Sequence, residues 1–321
     1  MQQLFTQYWE YLAVQNSCKV NLFDQLAQSE SVATLCHKYE YKPQPLQFLL
    51  SFLLAENYLQ LDISNSKPEN YYICTPKGLL FTDNNPNSIK NSCILWGEEH
   101  LTAWQNLDYT LKNGTAAFDY VYKKPFWEYI AADKQKLANY HRAMGEYARN
   151  DYKNIATLIE FNHKVIADIG GGIGILVNNL ANKYVSTQFI LADLQVVLNL
   201  AVNLANNVEK KSVDFFNNFG FNADGLIMAR ILHDWEDKKA ATILKNCADA
   251  LNDDGNLYIL EIMQDEIKAD LLSLNMLLIC KSYERTFEQY QSLLNHNGFV
   301  IKQKIKANDL QTMLICSKKP I

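Results

Sequence analysis

The residues that could do chemistry fall at four places in the second half of the chain. The first is Asp168-Ile169-Gly170-Gly171-Gly172-Ile173-Gly174, where an acid stands two residues before a run of glycines. Glycine lets a backbone turn tightly and approach a ligand with no Cβ in the way. A dinucleotide fingerprint needs Gly-x-Gly-x-x-Gly, but the third position is Ile175 counted from Gly170 and Val177 counted from Gly172. The acid would repel a pyrophosphate and suits a ligand that carries an ammonium group. S-adenosylmethionine, with an ammonium, a sulfonium and no phosphate, fits that requirement. The second place is Asp193, an acid suited to accept hydrogen bonds from ribose hydroxyls. The third, Asp214-Phe215, offers an acceptor for an adenine amino group with a ring beside it, or else an ordinary loop acid. The fourth is Arg230-Ile231-Leu232-His233-Asp234-Trp235. An imidazole titrates near ~6.5 and can take a proton at neutral pH, although a lone histidine is equally at home as a helix cap or in a core.

The elements that must position these residues alternate. Short apolar runs at Val165–Ile169, Phe189–Asp193, Gly225–Arg230 and Leu257–Ile262 are expected strands, with a weaker one near Ser212–Phe215. Helical segments separate them, including Lys238–Leu251. This alternation implies an α/β, Rossmann-like parallel sheet whose ligands gather at the carboxyl ends of the strands. Asp168, Asp193 and His233 all stand at such ends. The tail is different: Phe299–Ile305 and Thr312–Cys316 form an expected antiparallel hairpin.

The first half is mainly helical. Val20–Leu26 is a short amphipathic turn, Ser31 caps a helix, and Pro45–Leu54 is apolar on nearly all sides and expected to be buried. Tyr58–Asp62 and Tyr71–Thr75 are expected strands flanking a polar loop. Helix, helix, hairpin is a winged-helix outline. Glu30 and Glu40 offset Lys38 and Lys42 there, so the helices carry no basic stripe for DNA. A packing or dimerisation module is the better expectation. The boundary between the two domains is set at 155/156. The aromatic stretch Phe118, Tyr120, Tyr122, Phe126, Trp127 and Tyr129 belongs mostly to a helical core, with some rings free to line an apolar cleft.

Composition narrows the classes further. The net charge of −5 leaves no footprint for nucleic acid or an anionic membrane, and no apolar run is long enough to span a bilayer. The first residues lack the basic and apolar regions of a signal peptide. Seven cysteines occur without Cys-x-x-Cys pairs, a pattern expected of reduced thiols in a cytoplasm. Clustered Cys/His spacing is absent, so no metal is expected.

Taken together, Asp168–Gly174, Asp193-Leu194, Asp214-Phe215-Phe216, Leu232–Asp237 and Tyr283-Glu284-Arg285-Thr286 resemble the plant-type small-molecule O-methyltransferases, which include hydroxyindole and bacterial natural-product members. Leu22-Phe23-Asp24 and Thr75-Pro76-Lys77-Gly78 extend the resemblance to that family's winged-helix domain. The resemblance implies a seven-stranded methyltransferase domain, S-adenosylmethionine as cofactor and an intertwined homodimer. It implies that Asp168, Gly170 and Gly172 border the methionine part of the cofactor, with Met144 nearby and Arg230 near its carboxylate. Asp193 and Leu194 would hold the ribose, and Asp214 and Phe215 the adenine. His233 would be the general base and Glu284 an acid orienting it, for a small hydroxylated aromatic, polyketide or other natural-product acceptor.

Two departures lie beside the expected acceptor pocket. The segment from Glu261 to Asn275 is short, so the second orienting acid has no clear counterpart, and Asp265, Glu266 and Asp270 are the candidates. Lys281-Ser282 replaces a small glycine pair. They keep open a second enzyme class on the same fold, in which the sulfonium is a fixed charge for decarboxylation, hydroxylation or pericyclic closure.

Overall fold

The computed structural model describes residues 2–63 and 69–320, and part of the polar loop between the first two expected strands lies outside them. Two compact units divide at Glu99/His100 rather than at 155. The reason is hydrophobic. Helices between His100 and Asp151 bury Ala103, Phe118, Phe126, Ile130 and Leu137 in a cluster with Val197, Leu278 and Ile279 of the second unit.

In the first unit a short strand, β1 (Glu30–Ser31), is followed by helices Val32–Tyr39 and Pro43–Ala55. β2 (Leu59–Leu61) and β3 (Tyr71–Cys74) come next, and the three strands pair in the order β1-β3-β2. Ser31 Oγ accepts from Thr34 N at 3.2 Å, which satisfies a helix-terminal donor. Leu46, Leu50 and Leu53 repeat at helical spacing and bury against Phe23, Leu26 and Leu35. The helix is not apolar-buried all round: Phe48 on its other face is exposed.

In the second unit seven strands form one sheet: β4 (Val165–Ile169), β5 (Gln188–Asp193), β6 (Val208–Ser212), β7 (Ala223–Ala229), β8 (Leu251–Ile262), β9 (Phe299–Lys306) and β10 (Gln311–Lys318). Their order is β6-β5-β4-β7-β8-β10-β9, parallel from β6 to β8, with β10 antiparallel to both neighbours. This is the Rossmann-like arrangement expected. β6 lies a few residues before the expected weak strand. Its residues Val-Glu-Lys-Lys-Ser are polar because it is the sheet's edge, so it shows no apolar run. The chain reverses from β5 to the other side of β4 at β7, which opens a crevice at the carboxyl end of β4, the end that carries Asp168.

Candidate active site

The glycine turn after β4 is fixed from three sides. Gly170 and Gly172 have φ of 74° and 60°, the left-handed region that glycine enters freely. A side chain on Gly170 would also run into Ile231. Asp193, at the end of β5, accepts from Gly172 N at 2.9 Å and from Leu194 N at 2.7 Å, so one carboxylate ties the turn to the adjacent strand. Helix Lys134–Asp151 covers the turn: Gly145 packs on Ile173, and a Cβ on Gly172 would meet only His141 Nδ1, at 3.7 Å. Met144 is half-buried on this helix beside Gly145. No sequence motif marks His141; its place three residues before Met144 is the one signal the chain offers. Burial lowers its imidazole to about 4, so it is neutral here.

The two acids at the turn are held at some cost. Burial, then the neighbouring Asp193, pushes Asp168 up to about 7, and burial pushes Asp193 up to about 6. Asp168 Oδ2 is buried with no hydrogen-bond partner. Two adjoining buried carboxyls beside an open glycine turn fit a cationic ligand and disfavour a phosphate. S-adenosylmethionine therefore fits these residues. Because the folded state holds these protons more tightly than the unfolded chain, their cost is absent below about pH 4 and complete above about pH 7. Asp168→Asn is expected to raise the melting temperature of the cofactor-free protein at pH 8 by about 2–4 °C or more, with a smaller rise at pH 5, and to weaken cofactor binding. Thermal scans at the two pH values with and without cofactor check this.

Asp214, an exposed residue, spends its carboxylate on its own loop, accepting from Phe216 N at 3.0 Å and Asn217 Nδ2 at 2.8 Å. Phe215 is half-buried and packs against the core below the turn. Leu194 is largely exposed.

His233 lies in the single turn Leu232–Asp234 after β7. That turn is clamped from both ends. Glu261 Oε1 accepts from Ile231 N and Leu232 N at 3.1 and 2.9 Å. Arg285 donates to Leu232 O and Trp235 O, each at 2.7 Å. The Glu284-Arg285-Thr286 run thus has three uses: Glu284 meets the histidine, Arg285 holds its turn, and Thr286 caps helix Phe287–His296. His233 Nδ1 lies 3.0 Å from Glu284 Oε1, and Nε2 lies 3.4 Å from Asp234 Oδ1.

Burial opposes charge on Glu284, but His233 and Arg230 overcome it and hold its carboxyl well below the usual range. An ionised Glu284 wants Nδ1–H, which leaves the lone pair on Nε2, the nitrogen beside Asp234 Oδ1. Burial and Arg230 push His233 down, while Asp234, Glu284 and Glu261 outweigh them and raise it. Burial raises Glu261, and it raises Asp234 to about 6.

Arg230 carries a left-handed φ of 59° and donates to Glu284 Oε2 at 2.9 Å, Glu284 Oε1 at 2.6 Å and Glu261 Oε2 at 3.4 Å. The resemblance set it near a cofactor carboxylate; in this structure its guanidinium is engaged by these acids. His233, Glu261 and Glu284 offer atoms within 4.8 Å of one another, a metal-like spacing in which the guanidinium supplies the cation.

Glu261 is a further buried acid near the histidine, within 4.8 Å of it and of Glu284, and it acts on the histidine's turn through its backbone. Of the three candidates, Asp265 caps Phe287 N, Glu266 binds Lys304 and Thr312, and Asp270 accepts from Gln264. The signal for Glu261 was an acid standing inside the apolar run of β8, where it is fully buried. Lys281, at φ 59°, pairs with Asp119 at 2.7 Å. Near the histidine, Trp127 stacks on Trp235 at 6.0 Å and meets Tyr140 edge-on at 5.4 Å.

An acid-flanked glycine turn, a second buried acid tying it to the next strand and a clamped histidine on one parallel sheet fit a cofactor-dependent transferase of the S-adenosylmethionine type. Residues 104–300 match the model of the O-methyltransferase domain family, and the chain belongs to that family; it is an S-adenosylmethionine-dependent O-methyltransferase. It is 23% identical to phenazine O-methyltransferase PhzM of Lysobacter antibioticus, over 94% of this chain and 90% of that protein. It is 26% identical to 8-amino-8-demethylriboflavin N,N-dimethyltransferase of Streptomyces davaonensis, over 93% and 89%. Its fold matches human N-acetylserotonin methyltransferase in complex with S-adenosylmethionine, with a TM-score of 0.88 and 21% identity over 99% and 98% of the two chains.

Proposed function

We propose that the enzyme methylates a hydroxyl of a small, flat natural-product acceptor, aromatic or polyketide, with His233 as general base. The observation that carries this is the contact of His233 Nδ1 with an ionised Glu284, which leaves Nε2 to receive a proton. When bound, S-adenosylmethionine supplies a methyl group made electrophilic by its sulfonium. Asp168, Gly170, Gly172 and Met144 hold its methionine part, Asp193 and Leu194 its ribose, and Asp214 and Phe215 its adenine. A phenol with pKa ~10 is a poor nucleophile at neutral pH, so His233 Nε2 takes its proton as the oxygen attacks. Glu284 keeps the imidazole in the useful tautomer and stabilises the imidazolium. Trp127, Tyr140 and Trp235 offer flat apolar faces to such an acceptor. The relatives' reactions at phenazine and at a flavin amine support an aromatic acceptor.

The protein works as a homodimer through its first unit, in the cytoplasm, without nucleic acid or membrane. No helix among the described residues is long and apolar enough to cross a membrane, and the seven cysteines are free thiols. A panel of phenols, hydroxylated polyketides and aromatic amines with methyl-labelled S-adenosylmethionine tests the reading. A labelled ether with release of S-adenosylhomocysteine is expected. Label only on amines, or product without label, overturns it.

A further inference from the structure

Three atoms make a closed triangle behind the histidine. Arg230 Nη2 lies 2.6 Å from Glu284 Oε1 and 3.0 Å from His233 Nδ1, and those two lie 3.0 Å apart. Only one proton can sit on the His233–Glu284 edge. If Nδ1 keeps it, Arg230 bonds Glu284 alone; if Nδ1 loses it, Arg230 can donate to the ring and Nε2 no longer offers a lone pair. The fork onto both oxygens of Glu284 is the stronger bond, since it joins two charges in parallel. Arg230 is also held at a left-handed φ of 59°, a backbone conformation unfavourable for a non-glycine residue. Its amide donates to Leu260 O at 2.9 Å, so the strain is locked in by β8. That strain aims a guanidinium between two buried carboxylates.

We propose that Arg230 is a positioning residue for the transfer: its fork fixes Glu284 as the acceptor for His233 Nδ1–H, and its charge opposes the pull of Glu261 and Glu284 towards a protonated ring. Arg230 is thus the cation between two buried carboxylates, Glu261 and Glu284, with Asp234 a third acid at the ring's other nitrogen. A proton taken from the acceptor leaves the ring a cation among these buried carboxylates, with Glu284 against Nδ1–H. The other groups facing this cluster are Asp234 on the same turn, Tyr140 and Asp151 on helix Lys134–Asp151 with Tyr152 just after it, Cys280 on helix Asp270–Cys280, the cation Arg285, and Tyr290 on helix Phe287–His296. Burial holds Tyr140, Cys280 and Tyr290 well above their usual ranges, so none of the three brings a charge near neutral pH. The proposal rests on the reading of His233 as the base.

The test compares the full-length protein with Arg230→Gln by three measurements: the pH titration of the His233 ring by NMR, the pH–rate profile, and S-adenosylmethionine affinity by calorimetry. The His233 midpoint is expected to rise by about one pH unit or more. The rate at pH 7 falls about tenfold and recovers in alkali, and cofactor affinity stays within about threefold. An unmoved midpoint overturns the proposal, and with a large loss of affinity it assigns Arg230 to the cofactor instead. If the midpoint rises and the rate profile does not track it, the coupling of Arg230 to His233 stands and His233 is not the base. Should Arg230→Gln fail to fold, the same substitution made in a Glu261→Gln background keeps the charges balanced; no upward shift relative to Glu261→Gln alone overturns the proposal.

Discussion

His233→Ala is expected to lower methyl transfer by about 10²–10⁴-fold while leaving cofactor affinity within about twofold. The size comes from removing a positioned proton acceptor and nothing else. Glu284, the residue left facing the gap, keeps its fork to Arg230, so no buried charge is stranded. The turn that carried the ring keeps its clamps from Glu261 and Arg285. Melting temperature and calorimetric affinity should therefore stay near those of the unaltered protein while turnover collapses. Turnover that survives the substitution would remove His233 from the proton transfer. In the unaltered enzyme the rate should climb with pH through the titration of the ring, whose midpoint is raised by Asp234, Glu284 and Glu261 against burial and Arg230. Only the deprotonated imidazole can accept, so the slow limb lies on the acid side.

The second large effect falls on Asp193. Asp193→Ala is expected to weaken S-adenosylmethionine binding by about 100-fold or more. The carboxylate holds Gly172 N and Leu194 N at once, and hydrogen bonds to a charged group contribute about 1.5–3 kcal/mol each. Losing both slackens the glycine turn, in addition to removing the proposed acceptor for the ribose. Stability should not fall in parallel, because burial of this acid already costs free energy above about pH 6. Calorimetry at pH 8, with a thermal scan of the cofactor-free protein, separates the two effects. Affinity within about threefold of the unaltered protein would show that Asp193 neither holds the turn nor meets the ligand.

The strand ends that carry the proposed cofactor residues were legible because chemistry and periodicity coincided. Val165–Ile169 is a short apolar run that stops at an acid and four glycines, and it is β4 to the residue. Asp193 and His233 could be placed at strand ends because β5 and β7 are also apolar and short, at 6 and 7 residues. Glu261 was hidden for the opposite reason. It sits inside an apolar strand, where an acid looks like an interruption, and its purpose appears only when the turn Arg230–Leu232 folds onto it. The acids Asp265, Glu266 and Asp270 were visible in a polar segment, yet each serves local structure. The unit boundary was hidden too. A helix such as Phe126–Ala131 could bury against the N-terminal helices or against the sheet domain. Partners like Leu278, about 150 residues away in the chain, decide between them, and local pattern carries no such information. Arg230 shows a further gap: a basic residue in a loop does not announce a left-handed backbone, and that backbone decides where its side chain goes.

The placement of β10 between β8 and β9 governs the order in which this protein can be made. β10 is the last strand in sequence, yet it sits inside the sheet, so residues 311–318 must clear the ribosome before β8 and β9 have a shared partner. Until then the apolar edge Leu257–Ile262 stands open to any passing strand. A nascent chain stalled short of that point is a substrate for chaperones and for aggregation rather than a working enzyme.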